Sequence, residues 1–136
     1  MTDEQNYSAQ CSCSEIEVTM DGPPKVRGFC HCEDCRELLN LPYHSVNAWE
    51  KDKVEVKKGA QSLLEYQHPR LNMKKLFCKA CGDVVYNTNG MDWRVFSQLL
   101  MRKSYGGTLP DSLTSKSHFF YARRIIDVDD GLPKRD

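Results

Sequence analysis

Seven cysteines fall into three tight groups, Cys11-Ser12-Cys13, Cys30-His31-Cys32-Glu33-Asp34-Cys35 and Cys78-Lys79-Ala80-Cys81-Gly82, with none left over. No other feature of the chain restricts its fold as strongly. Two thiolates separated by one or two residues can fold around a single soft cation, and a glycine after the second tolerates the left-handed backbone of such a knuckle. An odd count fits a disulfide framework poorly, which favours metal ligation or thiol chemistry. Cys11 and Cys13 form one pair, Cys78 and Cys81 another, and the middle group has three, so the set divides most naturally as four plus three.

Coordination number then separates their work. Four thiolates complete a tetrahedral site and leave no position for substrate, so Cys11, Cys13, Cys78 and Cys81 are expected to hold a structural zinc. Three thiolates leave such an ion one ligand short, and an open position marks a catalytic site. Cys30, Cys32 and Cys35 are therefore the catalytic candidates, with the fourth place taken by water, a substrate thiol or a side chain from elsewhere. The alternative is a second closed site completed by His31, His44, His68 or His118. His31 lies between two ligands, and neighbours in an extended segment point to opposite sides, so it is expected outside the coordination sphere. Zinc suits soft all-sulfur donors that lack a redox-cluster spacing, with iron the alternative in the four-sulfur site. A thioredoxin-like use of Cys78 and Cys81 is disfavoured because no βαβ pattern surrounds them.

A chain of this composition needs such a staple. Of its 136 residues 40% count as hydrophobic. Setting the cysteines aside leaves about 35%, thin against the usual ~45–50%. Structural zinc contributes on the order of 10–16 kcal/mol of apparent binding energy, enough to offset a thin core. Basic and acidic residues, 19 of each, cancel, which argues against a nucleic-acid partner. Acidic residues dominate up to Glu50 and basic ones from Lys51 to Ser104. Met1 to Gln10 has neither the basic nor the apolar region of a secretory signal, and no apolar run approaches the roughly 18 residues of a membrane span, so a cytoplasmic protein without membrane partners is expected.

Along the chain the hydrophobic pattern is that of short strands. Glu15 to Met20 alternates polar and apolar, Asp21-Gly22-Pro23-Pro24 turns the chain, and Val26 to Phe29 returns. Tyr43 to Trp49, Lys53 to Lys57, Leu63 to Gln67, Lys75 to Cys78 and Asp83 to Tyr86 read as further strands, with Asn89-Gly90 a turn. Trp93 to Met101 fits a strand or a helical turn, and Arg36 to Asn40 a helical turn. The expectation is one mostly-β domain over residues 1–136 with its core at about 9–133, built of small antiparallel sheets with few short helices and loose ends.

Cys-x-Cys near the start, Cys-His-Cys-x-x-Cys-Arg, a late Cys-x-x-Cys-Gly and the tail Asp129-Asp130-Gly131-Leu132-Pro133 together resemble the glutathione-dependent formaldehyde-activating enzyme (GFA) family, which includes centromere protein V. The resemblance runs from about Ala9 to Pro133. It implies a zinc-stapled β-tent fold with two zinc ions per chain, Cys11, Cys13, Cys78 and Cys81 holding the structural one and Cys30, Cys32 and Cys35 the catalytic one. The implied activity is that of a carbon-sulfur lyase adding glutathione to formaldehyde to give S-hydroxymethylglutathione. Its partners would be a small thiol and an aldehyde. Arg36, beside the middle group, is the candidate contact for a glutathione carboxylate, with Lys74, Lys75 and Lys79 further candidate cations. The chain departs from the pattern where Gln10 and Ser14 replace flanking glycines, where Glu37 to Tyr43 lacks a glycine turn, and where His118-Phe119-Phe120 replaces a His-x-Trp element. A non-catalytic thiol carrier and a zinc-stabilised interaction module are the alternative functions.

Overall fold

The computed structural model describes residues 6–136 and is mostly β, with two sheets and two short helices. Strands β1 (Asn6–Gln10), β2 (Glu17–Asp21) and β5 (Val54–Lys58) form a three-stranded antiparallel sheet in the order β1-β2-β5. The larger sheet has seven strands. These are β3 (Val26–Cys30), β4 (His44–Trp49), β6 (Leu63–Gln67), β7 (Lys74–Cys78), β8 (Val84–Asn87), β9 (Arg94–Ser97) and β10 (Ser117–Phe119). Their order is β10-β3-β4-β9-β8-β7-β6, and β10 runs parallel to β3 while the other pairs are antiparallel. Helix α1 (Glu33–Leu39) follows β3, and α2 (Gln98–Ser104) follows β9.

The small sheet packs on one face of the large one. Val18 and Met20 alternate with polar residues in β2, and Ala9 and Tyr7 stand opposite them in β1. Together with Ile16 they share a core with Trp49, Val85 and Phe96 of the large sheet and with Leu100 and Met101 of α2. Strand β4 is buried along nearly its whole length, on one face by the small sheet and on the other by side chains of the neighbouring strands β3 and β9. Trp49 faces this core and donates its indole N–H to Gly22 O at 2.9 Å. The alternate positions Val46 and Ala48 pack with Val95 into a separate cluster, against which Val26, Cys30 and Trp93 rest. The face of that second cluster carries the chemistry.

The strands expected at Glu15–Met20, Val26–Phe29, Tyr43–Trp49, Lys53–Lys57, Leu63–Gln67, Lys75–Cys78 and Asp83–Tyr86 form within a residue or two of those bounds. Trp93–Met101 combines both readings: it is a strand up to Ser97, whose hydroxyl accepts from the Leu99 N–H at 3.1 Å and starts α2. The helix at Arg36 begins earlier, at Glu33. Cys32 caps it, and Glu33 and Asp34 suit the positive end of a first turn.

The expectation of loose ends is corrected. Residues from Asn6 onward pair as β1, and the tail is tied down by His118 N–H to Pro133 O at 2.9 Å and Arg135 N–H to His118 O at 2.9 Å. The N-terminal end pairs with the strand that follows it, Gln10 opposite Glu17, and the tail folds back on β10. The part of the N-terminal reading that concerns residues 1–5 lies outside the described residues. Among the described residues no helix is long and apolar enough to cross a membrane.

Candidate metal centres and an adjoining cleft

The fold gathers the seven cysteines into two groups. The sulfurs of Cys11, Cys13, Cys78 and Cys81 all lie within 4.8 Å of one another, as do those of Cys30, Cys32 and Cys35. This is the four-plus-three division read from spacing. A tetrahedral ion with metal-sulfur bonds of about 2.3 Å sets its sulfurs about 3.8 Å apart. The observed separations are 3.6 Å for Cys11 to Cys13, 3.7 Å for Cys13 to Cys78 and 3.8 Å for Cys30 to Cys35, close to that spacing, while Cys30 and Cys32, at 3.3 Å, would have to part slightly around an ion.

The four-sulfur group joins two turns. Cys11 begins the β1–β2 connection, where Ser14 N–H reaches Cys11 O at 2.9 Å and Ile16 N–H reaches the Cys11 sulfur at 3.3 Å. In the β7–β8 turn, Gly82 takes the left-handed φ of 81° and its N–H closes on Cys78 O at 2.8 Å. Asp83 ties the turns together, accepting from the Ser12 N–H at 2.7 Å, the Ser12 hydroxyl at 2.6 Å and Lys103 at 2.8 Å. Thiols this close resist ionising together. Against the Glu15 amide, which lowers it, local desolvation and the neighbouring sulfurs push Cys13 up to about 12, while the Asp83 amide above all draws Cys81 down to about 7. A cation removes that conflict.

The three-sulfur group sits at the corner between β3 and α1. Cys30 ends the strand, Cys32 caps the helix by accepting the Cys35 N–H at 3.3 Å, and Cys35 lies in the first turn. Cys30 and Cys32 sulfurs are 3.3 Å apart. Hydrogen bonds from Cys30 and then Cys35, with the amides of Cys35 and Asp34, draw Cys32 far down, so one thiolate is already favoured here. Hydrogen bonds with Cys30 and Cys32 hold Cys35 as a thiol.

Among the described residues, no histidine joins either group. His44 Nε2 meets Asn87 Oδ1 at 3.2 Å, and burial lowers the His44 pKa to about 4; His68 Nε2 meets Glu37 at 3.3 Å. His31 and His118, both buried, belong to a hydrogen-bonded chain that the sequence reading did not assemble. His31 Nε2 lies 2.8 Å from His118 Nδ1, and His118 Nε2 lies 2.8 Å from Asp130 Oδ2. With His118 Nε2–H donating to an ionised Asp130, the neutral tautomer of His118 leaves Nδ1 to accept from His31 Nε2–H. Lys134 first, and His118 next, hold the Asp130 carboxyl well below the ordinary range. The remaining His31 Nδ1 is buried without a partner among the described residues, and Tyr43 stacks on the ring at 4.8 Å. His31 thus stands outside the sulfur group, as strand alternation requires. The signals for the chain were His118 and the tail aspartates, but nothing local pairs them with His31.

Arg36 is half-buried, and its guanidinium donates to His31 O at 3.4 Å and Arg123 O at 3.1 Å. Lys74 bridges to Glu65 at 3.3 Å and Lys75 lies over Tyr66, both on the far strands β6 and β7. Beside the three sulfurs a cleft of about 370 Å³ opens, with Cys30 and Cys35 in its wall. Val46, Ala48, Val95, Trp93 and Phe119 are among the apolar residues that line it.

Comparison with known proteins bears directly on this arrangement. Residues 6–123 match the family described as glutathione-dependent formaldehyde-activating enzyme. The chain belongs to that family. An uncharacterized lyase of Schizosaccharomyces pombe is 28% identical over 87 residues, which are 62% of this chain and 60% of that protein, so the match spans less than two thirds of the relative's length. The crystal structure of a Rhodobacter sphaeroides protein superposes with a TM-score of 0.51 at 18% identity, covering 76% of this chain and 97% of that one, and supports the fold. For a GFA family member the two-sheet β architecture and the paired cysteine groups are the arrangement that the motifs imply.

Proposed function

We propose that this chain is a zinc-dependent carbon-sulfur lyase of the GFA type, adding glutathione or a related thiol to formaldehyde or another small aldehyde. In the addition a C–S bond forms, the carbonyl π bond opens, and the thiol proton ends on oxygen, with no change of oxidation state overall. The observation that carries this reading is a three-sulfur group with the spacing of a tetrahedral site, one ligand short, in the wall of a cleft.

In this reading Cys11, Cys13, Cys78 and Cys81 hold a structural zinc, and Cys30, Cys32 and Cys35 hold the catalytic one. Zinc bound there supplies acidity, holding a substrate thiol as its nucleophilic thiolate near neutral pH. The chain supplies position. Cys30 is fixed by the β3–β4 register and Cys35 by the first turn of α1, which sets both in the wall of the cleft, and confining a thiol and an aldehyde together there would remove the entropy of their encounter. His31, His118 and Asp130 hold the loop between Cys30 and Cys32. Arg36, with two donors committed to His31 O and Arg123 O, offers its remaining N–H groups to a glutathione carboxylate.

Exchange spectroscopy of glutathione and formaldehyde, with zinc-loaded protein and without it, tests the activity. Faster exchange at micromolar protein, lost in Cys32→Ser, is the expected result. No enhancement sinks the lyase assignment, and glutathione binding by calorimetry without turnover would instead support a thiol carrier.

A further inference from the structure

The cleft beside the three cysteines is larger and more apolar than formaldehyde needs. Its volume, about 370 Å³, is that of a site for a small organic ligand. Its floor is the face of the large sheet on which Val46, Ala48 and Val95 pack with Val26, Cys30 and Trp93. The amide oxygens in its wall are engaged internally: Asn87 Oδ1 meets His44, with its Nδ2 donating to Thr88 O, and Asn89 Oδ1 accepts from the Met91 and Trp93 N–H groups. Arg135 and Asp136 also contribute to the wall.

Two further observations point to a ligand. Met91 and Phe120, both lining the cleft, are large apolar side chains left 64% and 49% exposed. Phe120 also holds a left-handed backbone, φ 54° and ψ 37°, a conformation that a bulky residue rarely adopts and that places its ring at the cleft. Glutathione's carboxylates and ammonium would meet charged partners only at Arg135 and Asp136 and would stay unsatisfied against the remaining, apolar wall. The occupant therefore belongs to the carbonyl component.

We propose that the cleft seats the apolar substituent of the aldehyde, so that the preferred substrates are medium-chain aliphatic aldehydes. The inference rests on the thiol–aldehyde activity above. The step is the same addition: the thiol sulfur bonds to the carbonyl carbon, its proton ends on the carbonyl oxygen, and the product is a hemithioacetal with nothing oxidised or reduced.

The test uses two series on the zinc-loaded protein. Unreactive alkan-1-ols from propanol to octanol are titrated against Trp93 fluorescence, and kcat/KM with glutathione is measured for propanal, butanal and hexanal, which share one intrinsic reactivity. Affinity is expected to tighten by about fourfold per methylene until the cleft is filled, with kcat/KM rising along the aldehydes. Ala48→Phe, or Val26→Phe at a half-buried position if the first does not fold, is expected to flatten the alcohol series. An alcohol series already flat in the unmodified protein overturns the inference. So does turnover of formaldehyde with no dependence on chain length, which leaves the proposed activity standing. No turnover of any aldehyde overturns the activity and the substrate class together, even if the alcohols bind.

Discussion

Ser14 stands where the family resemblance leads one to expect glycine, and the backbone there takes the conformation glycine would take, φ 62°. The turn carrying Cys11 and Cys13 is kept, at the cost of a left-handed serine. Ser14→Gly should therefore stabilise the protein by up to about 1 kcal/mol, read as a raised denaturation midpoint with unchanged metal content. A neutral or destabilising result would mean that the weak 3.4 Å contact of the Ser14 hydroxyl with Gln10 outweighs the strain. Asn40 solves the same problem differently. The stretch Glu37 to Tyr43 has no glycine, yet Asn40 adopts φ 55° and closes α1, a position that asparagine tolerates better than other non-glycine residues. Departures from a motif thus need not change the backbone, provided one residue absorbs the unusual φ.

Among the elements, β10 is the shortest strand and was the least legible. Its three residues have no useful periodicity, and their partner β3 lies almost ninety positions earlier. What holds β10 in place is Gly28, where an added Cβ would meet Ser117 O at 2.5 Å and the Phe119 ring at 2.4 Å. Gly28→Ala should push β10 away, loosen the His118–His31 contact, and cost on the order of 1–3 kcal/mol in denaturant unfolding. An unchanged midpoint would show that the β3–β10 pairing is soft. The strands between the cysteine groups were legible because most carry apolar residues at alternate positions between turn signals, whereas β1, ahead of the first group, reads as a loose end. The Trp93–Met101 segment was ambiguous for a physical reason: a four-residue strand runs directly into a capped helix, so neither period is sustained.

Over the whole molecule, the four-cysteine group joins the small sheet to the large one, since Cys11 follows β1 and Cys78 ends β7. Two of its members, Cys11 and Cys78, are at most 2% exposed and part of the main core. The three-cysteine group joins only β3 to α1. Mass spectrometry is expected to find two zinc ions per chain, with one released by chelator without loss of near-ultraviolet dichroism and the second only on unfolding. Cys78→Ser should unfold the protein, whereas Cys32→Ser should leave it folded with one zinc; equal unfolding by both would refute the division of roles. By itself the sequence determined the cysteine clusters that could hold a metal ion, because residue type and spacing within each act over two to five residues, and it determined most strands, because alternation is local. Only the tertiary structure decided that buried His31 and His118 link in a chain to Asp130 at the surface and that Cys30 opens onto an apolar cleft. Those depend on which strands lie side by side and which face of β4 the small sheet leaves uncovered, and long-range packing rather than local pattern sets both.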